Sequence, residues 1–437
     1  MKTNPLKKLV TAQKSGKALG IYSACSANRF VIKAVIRKAI EDDSCVLIES
    51  TANQCDQFGG YTGMKPQDFK DYVYAIAKEE GLDTSRLFLG GDHLGPLTWT
   101  HLNEEEAMKN AEDLIRAYVL AGFSKIHIDT SMKVASDDAN TRLSDEAIAA
   151  RGVRLAKVAQ EAFEEYTAIH KDAYEPVYIV GSEVPIPGGS TSAVDTGVQV
   201  TKVEDFKNTV TTFEKAFMGA GLSKAWERVI AIVVQPGVEE KDSGCTEYDR
   251  TKAVDLCKAI KEYPNLIFEG HSTDYQTKIK LRELVEDGIA ILKVGPALTF
   301  AAREGLYALA YAEKEAIEAS KQSNFIEVLD NAMLENDKHW KKHYHGSEEE
   351  IAFKRKWSFS DRSRYYMQTK NVEAAIAKLM DNFKDGVPLN LLSQFMPMQY
   401  TKVREGLLVN DPELLVEDRV ANTIEEYLYA THQKDLF

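Results

Sequence analysis

The stretch Leu87-Phe88-Leu89-Gly90-Gly91-Asp92-His93-Leu94-Gly95-Pro96 sets an acid and an imidazole side by side after an apolar run. A short apolar run bounded by glycine and proline reads as a buried strand passing into a loop. Neighbouring strand residues point to opposite faces, but where the backbone turns at a strand's end both can reach one pocket. A metal-assisted carbon–carbon lyase uses such a pair, the imidazole to hold a divalent cation and the carboxylate to move a proton. Asp-His also occurs in ordinary loops, so the pair takes its meaning from what surrounds it.

The same pattern, an apolar run and then polar residues, recurs along the chain at Leu19–Cys25, Cys45–Ser50, Leu87–Gly91, Lys125–Thr130, Val177–Ser182, Val229–Val234, Leu266–Gly270 and Ile289–Val294. Helix-period segments separate these runs, among them Phe30–Glu41, Pro66–Glu80, Glu104–Ala121 and Asp145–Ala168. Each gap is long enough for the crossover helix that parallel strands require. Eight such units predict an α/β fold, a TIM (β/α)8 barrel, over residues 1–299. A doubly wound sheet is the rival, weakened in its dinucleotide-binding form because no GxGxxG follows the first run. After Thr299 the spacing becomes helical: Phe300–Gln322, Asn324–Asn336, Asn371–Phe383, Leu389–Arg404 and Asp411–His432, around an irregular stretch His339–Tyr366. Residues 300–437 are therefore expected to form a mostly helical C-terminal extension packing on the barrel.

The chain has 437 residues, 44% hydrophobic and 28% charged, enough for one large core and an added domain. Its net charge of −13 argues against nucleic acid as the main partner, while a local basic pocket can still hold a small anion. Residues Met1 to Gln13 contain lysines but no apolar stretch of signal-peptide length, and no window suggests a membrane span. Five cysteines without CxxC spacing point to reduced thiols and away from a thiolate zinc site. The expected setting is cytoplasmic, with no nucleic acid and no membrane as partner. Assembly into a homo-oligomer is left open.

In a TIM barrel, catalytic groups sit at the C-terminal ends of the strands. Those ends supply Cys25, Glu49, Asp92, His93, Asp129, Glu183, Gln235, Glu269, His271 and Lys293. So many carboxylates and histidines at one mouth argue for an enzyme. His93 and His271 are the expected metal ligands, as neutral imidazoles. A catalytic zinc site wants a third protein ligand, for which Glu183 and Gln235 are the candidates. Glutamine suits Mg²⁺ or Mn²⁺ better than Zn²⁺. Asp92 is the first choice for proton transfer, with orientation of His93 as its alternative role. Asp129 and Glu183 are candidates for a second acid or base.

Glu49, Asn53, Gln57 and Lys293 are placed to bind substrate, a structural Glu49–Lys293 pair being the alternative. Ser272, Thr273 and the Gly295–Thr299 loop lie where barrels often hold phosphate. Arg362 and Arg364 of the extension are placed to close over it. A Schiff base at Lys293 is disfavoured beside an Asp-His pair. His127, inside the fourth run, reads as a packed histidine.

Several long motifs resemble one family. They are Asn53-Gln54 with Asp56-Gln57-Phe58-Gly59-Gly60-Tyr61-Thr62-Gly63-Met64, Gly91-Asp92-His93-Leu94-Gly95-Pro96, Glu183-Val184-Pro185-Ile186-Pro187-Gly188-Gly189, Val234-Gln235-Pro236-Gly237, His271-Ser272-Thr273-Asp274-Tyr275-Gln276-Thr277, Leu292-Lys293-Val294-Gly295-Pro296-Ala297-Leu298-Thr299-Phe300, and Ser360-Asp361-Arg362 with Arg364-Tyr365-Tyr366. The family is GatZ/KbaZ, and the resemblance runs from about Gly20 to Tyr400. It implies a barrel similar to class II aldolases, which use a divalent metal, usually zinc. Members are described as non-catalytic subunits of tagatose-1,6-bisphosphate aldolase, as 4-epimerases of tagatose 6-phosphate and fructose 6-phosphate, and in older descriptions as tagatose-6-phosphate kinases. No Walker A sequence and no kinase-like glycine loop is present, which places the kinase last.

The expected function is a metal-dependent 4-epimerase of D-tagatose 6-phosphate and D-fructose 6-phosphate, with Zn²⁺ as the first metal and Mg²⁺ or Mn²⁺ as alternatives. The C4 hydrogen of a 2-ketose is not next to the carbonyl, so retro-aldol cleavage between C3 and C4 is the expected chemistry. The alternative is a non-catalytic, stabilising subunit partnered with a class II D-tagatose-1,6-bisphosphate aldolase. The expected partners are thus a phosphorylated ketohexose and, under the alternative, the aldolase's catalytic subunit.

Overall fold

The computed structural model describes residues 2–181 and 198–436. Its strands are β1 Ile21–Cys25, β2 Val46–Thr51, β3 Leu87–Leu94, β4 Lys125–Ile128, β5 Val177–Val180, β6 Val229–Val234, β7 Glu239–Lys241, β8 Gly244–Thr246, β9 Ile267–Gly270 and β10 Ile289–Val294. Eight of them close into a barrel in the order β1-β10-β9-β6-β5-β4-β3-β2, every neighbouring pair parallel. β7 and β8 form a separate antiparallel hairpin. Helices follow the strands, and the architecture is the TIM-type barrel that the apolar runs predict.

Strands buried on both faces must be apolar almost throughout, which is why VIAIVV and IAILKV sit in the barrel wall. Two cores result. One fills the space between barrel and helices. The other lies inside the barrel, where Ile21, Leu47, Phe88, Ile179, Ile267 and Ile291 meet Leu9 of the N-terminal helix Lys7–Lys14. Each such fully buried side chain contributes about 1.5–3 kcal/mol of burial free energy. Side chains two positions apart share a strand face. Stepping forward by two from Leu47, Ile267 and Ile291 gives Glu49, Glu269 and Lys293, so the inward face turns from apolar to charged towards the C-terminal end.

The helix after β10 runs Pro296–Ala316 and so begins before residue 300. Helix Pro412–Thr431 packs on it and on helix Arg29–Glu41. Tyr427 Oη donates to the Thr273 carbonyl (2.9 Å), and Gln433 Nε2 to the Cys45 carbonyl (2.8 Å). The C-terminus is thus fastened to the barrel wall.

Three local expectations need correction. The stretch expected to be irregular, His339–Tyr366, contains helix Glu348–Trp357, opened by a capping box of Ser347 and Glu350. The expected helix Leu389–Arg404 is two, Leu389–Phe395 and Pro397–Arg404, because Pro397 cannot continue the first. The β7–β8 hairpin escaped notice because each strand has only three residues. Among the described residues no helix is long and apolar enough to cross a membrane.

Candidate active site

β3 does not stop before Asp92. It continues to Leu94, and its register against β4 shifts between Gly91 and Leu94. His93 sits in that irregularity with φ 50°. A left-handed residue there costs about 1–3 kcal/mol and persists only where the surroundings enforce it. It also breaks the strand's alternation, so Asp92 and His93 can both join the interior cluster. The neighbouring glycine is steric: a Cβ on Gly95 would lie 1.7 Å from the Asp129 carbonyl oxygen.

Asp92, His93, His127 and His271 form a buried group whose potential ligand atoms lie within 4.8 Å of one another. His93 Nδ1 is 2.9 Å from Asp129 Oδ2, and His271 Nε2 is 3.0 Å from Glu269 Oε1. Each carboxylate fixes its ring and leaves the other nitrogen, His93 Nε2 or His271 Nδ1, for a ligand. Metal-binding histidines are usually braced in this way. The rings of His93 and His271 meet edge-on with centroids 4.9 Å apart. His127 has both nitrogens engaged, Nδ1 3.0 Å from Asp92 Oδ1 and Nε2 3.1 Å from the Gly181 carbonyl. It braces Asp92. This N and O donor set fits a divalent metal ion.

Burial pushes the Asp92 carboxyl up, but Lys293 and His93 together pull it well below the usual carboxylate range. Burial lowers His93 too, and the adjacent Asp92 and Asp129 more than offset this, leaving it raised. Burial dominates at His271 and pushes it down to about 4, so this ring is neutral at physiological pH, as a ligand must be.

A fully buried ionic chain supports the cluster from beneath. Lys125 Nζ lies 2.7 Å from Glu49 Oε1 and 2.8 Å from Glu269 Oε2. Lys293 Nζ pairs with Glu49 and lies 3.1 Å from Asp92 Oδ1. Asp92, Lys293, Glu49, Lys125 and Glu269 are therefore one continuous line of charge, ending on the neutral His271. Buried charges survive only when paired like this.

Above the cluster is a cavity of about 260 Å³, just below the usual ~300–1,000 Å³ of small-molecule sites. From the barrel it is lined by Asn53, Asp92, His93, His271, Ser272 and Lys293. From the extension come Arg362 and Arg364. Arg362 is buried; its Nη2 lies 3.1 Å from His343 Nδ1 and its Nε has no hydrogen-bond partner. Arg364 donates to the Asp361 carbonyl (3.0 Å) and to Tyr365 Oη (3.1 Å). Among the described residues, no carboxylate pairs with either guanidinium.

A family model for D-tagatose-1,6-bisphosphate aldolase subunit GatZ/KbaZ-like proteins matches residues 6–432. The chain belongs to the GatZ/KbaZ-like family. A crystal structure of a probable tagatose 6 phosphate kinase from Sinorhizobium meliloti 1021 is similar at 42% identity, covering 94% of this chain and 100% of that one, with a TM-score of 0.85. Looser likenesses are a fructose-bisphosphate aldolase from Campylobacter jejuni (14% identity, 86% and 91% covered, TM-score 0.46) and the YdjI aldolase from Escherichia coli K12 (13%, 87% and 96%, 0.42).

Within this GatZ/KbaZ-like barrel, several residues expected at the site have other tasks. Glu49 is wholly buried, bound to two lysines, and does not line the cavity. Thr273 is buried and gives its hydroxyl to the Lys293 carbonyl (2.6 Å). Gln57 donates to the Asn110 carbonyl (2.9 Å). Gln235 Oε1, the only atom with which it could bind a cation, accepts from the backbone N–H of Gly237 (2.7 Å) and Val238 (2.9 Å). Asp129 spends Oδ2 on His93 and Oδ1 on Ser131, so both of its oxygens are engaged by neighbours. Glu183 lies outside the described residues.

Three further lining residues have no role assigned from the sequence; Tyr365 and Asp274 stand only in the motifs, and Glu240 in none. Tyr365 follows a motif arginine, and its ring meets Tyr61 edge-on (4.8 Å) and stacks on His339 (4.7 Å). Glu240 comes from the unforeseen hairpin; it is buried, with Oε2 unpartnered. Asp274 accepts from the N–H of Gly295 (3.0 Å) and Ala297 (2.8 Å). Burial, then Glu240, push its carboxyl up to about 7.

Proposed function

We propose that this chain is a metal-dependent ketohexose-phosphate 4-epimerase that interconverts D-tagatose 6-phosphate and D-fructose 6-phosphate by retro-aldol and aldol chemistry. The observation that carries this reading is a division of labour in one cavity. A braced His/Asp cluster lies at its floor, and two arginines without carboxylate partners look into it from the extension. Cationic side chains that line a cavity and make no direct ion pair can take an anion, and a phosphate accepts the forked donors of guanidinium groups. The phosphate end of the substrate is therefore assigned to Arg362 and Arg364, and the ketose end to the cluster. Asn53 and Ser272 are assigned to the sugar hydroxyls.

His93 and His271 are the residues assigned to hold a divalent cation, Zn²⁺ first, which leaves Asp92 for proton transfer. When bound it supplies Lewis acidity towards the ketose oxygens. Asp92, kept anionic by Lys293, takes the 4-hydroxyl proton as the C3–C4 bond breaks. The glyceraldehyde phosphate fragment stays tethered by the arginines, presents its other face, and the bond reforms.

The family description favours a second reading, in which the chain supports a class II tagatose-bisphosphate aldolase without turning over itself. Purified, metal-loaded protein incubated alone with fructose 6-phosphate distinguishes the two. Tagatose 6-phosphate seen by NMR, and lost with a chelator, supports the epimerase. No product from folded, metal-loaded protein favours the subunit reading.

A further inference from the structure

Epimerisation through C3–C4 cleavage needs two proton carriers. The 4-hydroxyl leaves one face of the aldehyde intermediate and must be re-formed on the other. Asp92 serves the floor of the cavity. Asp129 is committed to His93, and Asp274 has one carboxylate oxygen committed to two backbone N–H groups. The extension side offers Tyr365, a cavity-lining residue placed by short helix Arg362–Tyr365. Its hydroxyl oxygen accepts a hydrogen bond from Arg364 Nη2 (3.1 Å), which leaves the phenolic proton to be donated. Its ring is gripped by His339 and Tyr61. Arg362 lies over the same ring, 5.9 Å from its centroid.

Resting on the epimerase reading, we infer that Tyr365 is the second proton carrier, acting on O4 from the side opposite Asp92. In one direction Asp92 takes the 4-hydroxyl proton. The C3–C4 electron pair moves into the three-carbon fragment as its enediolate, and C4 becomes an aldehyde carbon. After the aldehyde turns, C3 attacks it, the C3–C4 bond re-forms, and O4 takes the Tyr365 proton. The phenolate regains a proton from solvent and Asp92 releases one. In the reverse direction the two residues exchange roles. Burial alone would push the phenol up, but Arg364 and Arg362 more than offset it and leave it below the usual tyrosine value, which suits a group that must alternate between phenol and phenolate.

The test is Tyr365→Phe, which keeps the stacked ring and removes only the hydroxyl. Metal-loaded wild type and variant are given each epimer, and both interconversion and slow leakage of glyceraldehyde 3-phosphate are followed with a coupled dehydrogenase. The expected result is a loss of interconversion of about a hundredfold or more, with leakage retained from one epimer only. Interconversion within about threefold of wild type, or leakage from both epimers or from neither, overturns the assignment. Wild-type protein that interconverts nothing would sink the epimerase reading and this proposal together, a distinct result from failure of the variant alone.

Discussion

His93 Nδ1 lies 2.9 Å from Asp129 Oδ2, so the ring is held with Nε2 towards the cavity cluster. Removing the carboxylate frees the ring to rotate and lowers its basicity. Asp129→Ala is expected to weaken divalent metal affinity by about 10–100-fold. Competition with a fluorescent chelator measures it. Unchanged affinity would mean that His93 is not a ligand.

Alanine at His93 or His271 removes a ligand outright. Both variants are expected to lose bound metal, measured by elemental analysis after dialysis, and to lose epimerisation with it. A variant that sheds the metal yet keeps full turnover would separate the metal from the chemistry.

Among the described residues, Arg364 donates its hydrogen bonds to backbone carbonyls and a tyrosine hydroxyl and makes no direct carboxylate pair, so a guanidinium edge can meet an anion. Arg364→Met is expected to raise KM for the sugar phosphate about 10–100-fold, from the loss of charge-assisted bonds worth ~1.5–3 kcal/mol. Inhibition by inorganic phosphate should weaken in parallel. An unchanged KM would move the phosphate elsewhere in the cavity.

Lys125 is wholly buried between Glu49 and Glu269. Lys125→Met strips the buried Glu269 of its paired cation and leaves Glu49 with Lys293 alone, at a cost of about 3–5 kcal/mol. Urea unfolding checks this. Adding Glu269→Gln should recover part of the loss, because the carboxylate that lost its cation is then uncharged.

Asp274 has its carboxyl raised from the ordinary 3.8 to about 7 in the folded state. The folded state therefore holds a proton that the unfolded chain has released, and stability falls as pH rises between those two values. Asp274→Asn keeps an oxygen for Gly295 and Ala297 and carries no charge. Its Tm is expected to exceed that of wild type by a margin that widens from about pH 4 to about pH 7 and is flat above, by calorimetry. A margin independent of pH would contradict the raised value.

The barrel was legible because parallel strands buried on both faces leave a compositional mark. Runs such as Val229–Val234 and Ile289–Val294 coincide with β6 and β10. Asp92 and His93 were legible as a pair, although the reason lay elsewhere: the backbone turns at a left-handed His93 within β3, not at the strand's end. Glu49 and Asp129 were visible as acids at strand ends, but which way each spends its oxygens depends on Lys125 and His93, contributed by other strands. Tyr365 and Glu240 left no periodic signal, since one lies in a four-residue 3-10 turn and the other in a three-residue strand.

The sequence by itself determined the alternation of apolar runs and crossover helices, the family, and the acids and imidazoles that crowd the strand ends. These follow from local periodicity and long motifs, which need no knowledge of distant contacts. Only the tertiary structure decided which of those groups share a cavity. It braced His93 with Asp129 and His271 with Glu269. It buried Lys125 beneath them, and it carried Arg362, Arg364 and Tyr365 from a segment some 270 residues downstream to face Asp92. The reason is physical: a side chain's charge state and remaining hydrogen-bonding capacity are set by neighbours in space, and barrel closure makes those neighbours from residues far apart in the chain.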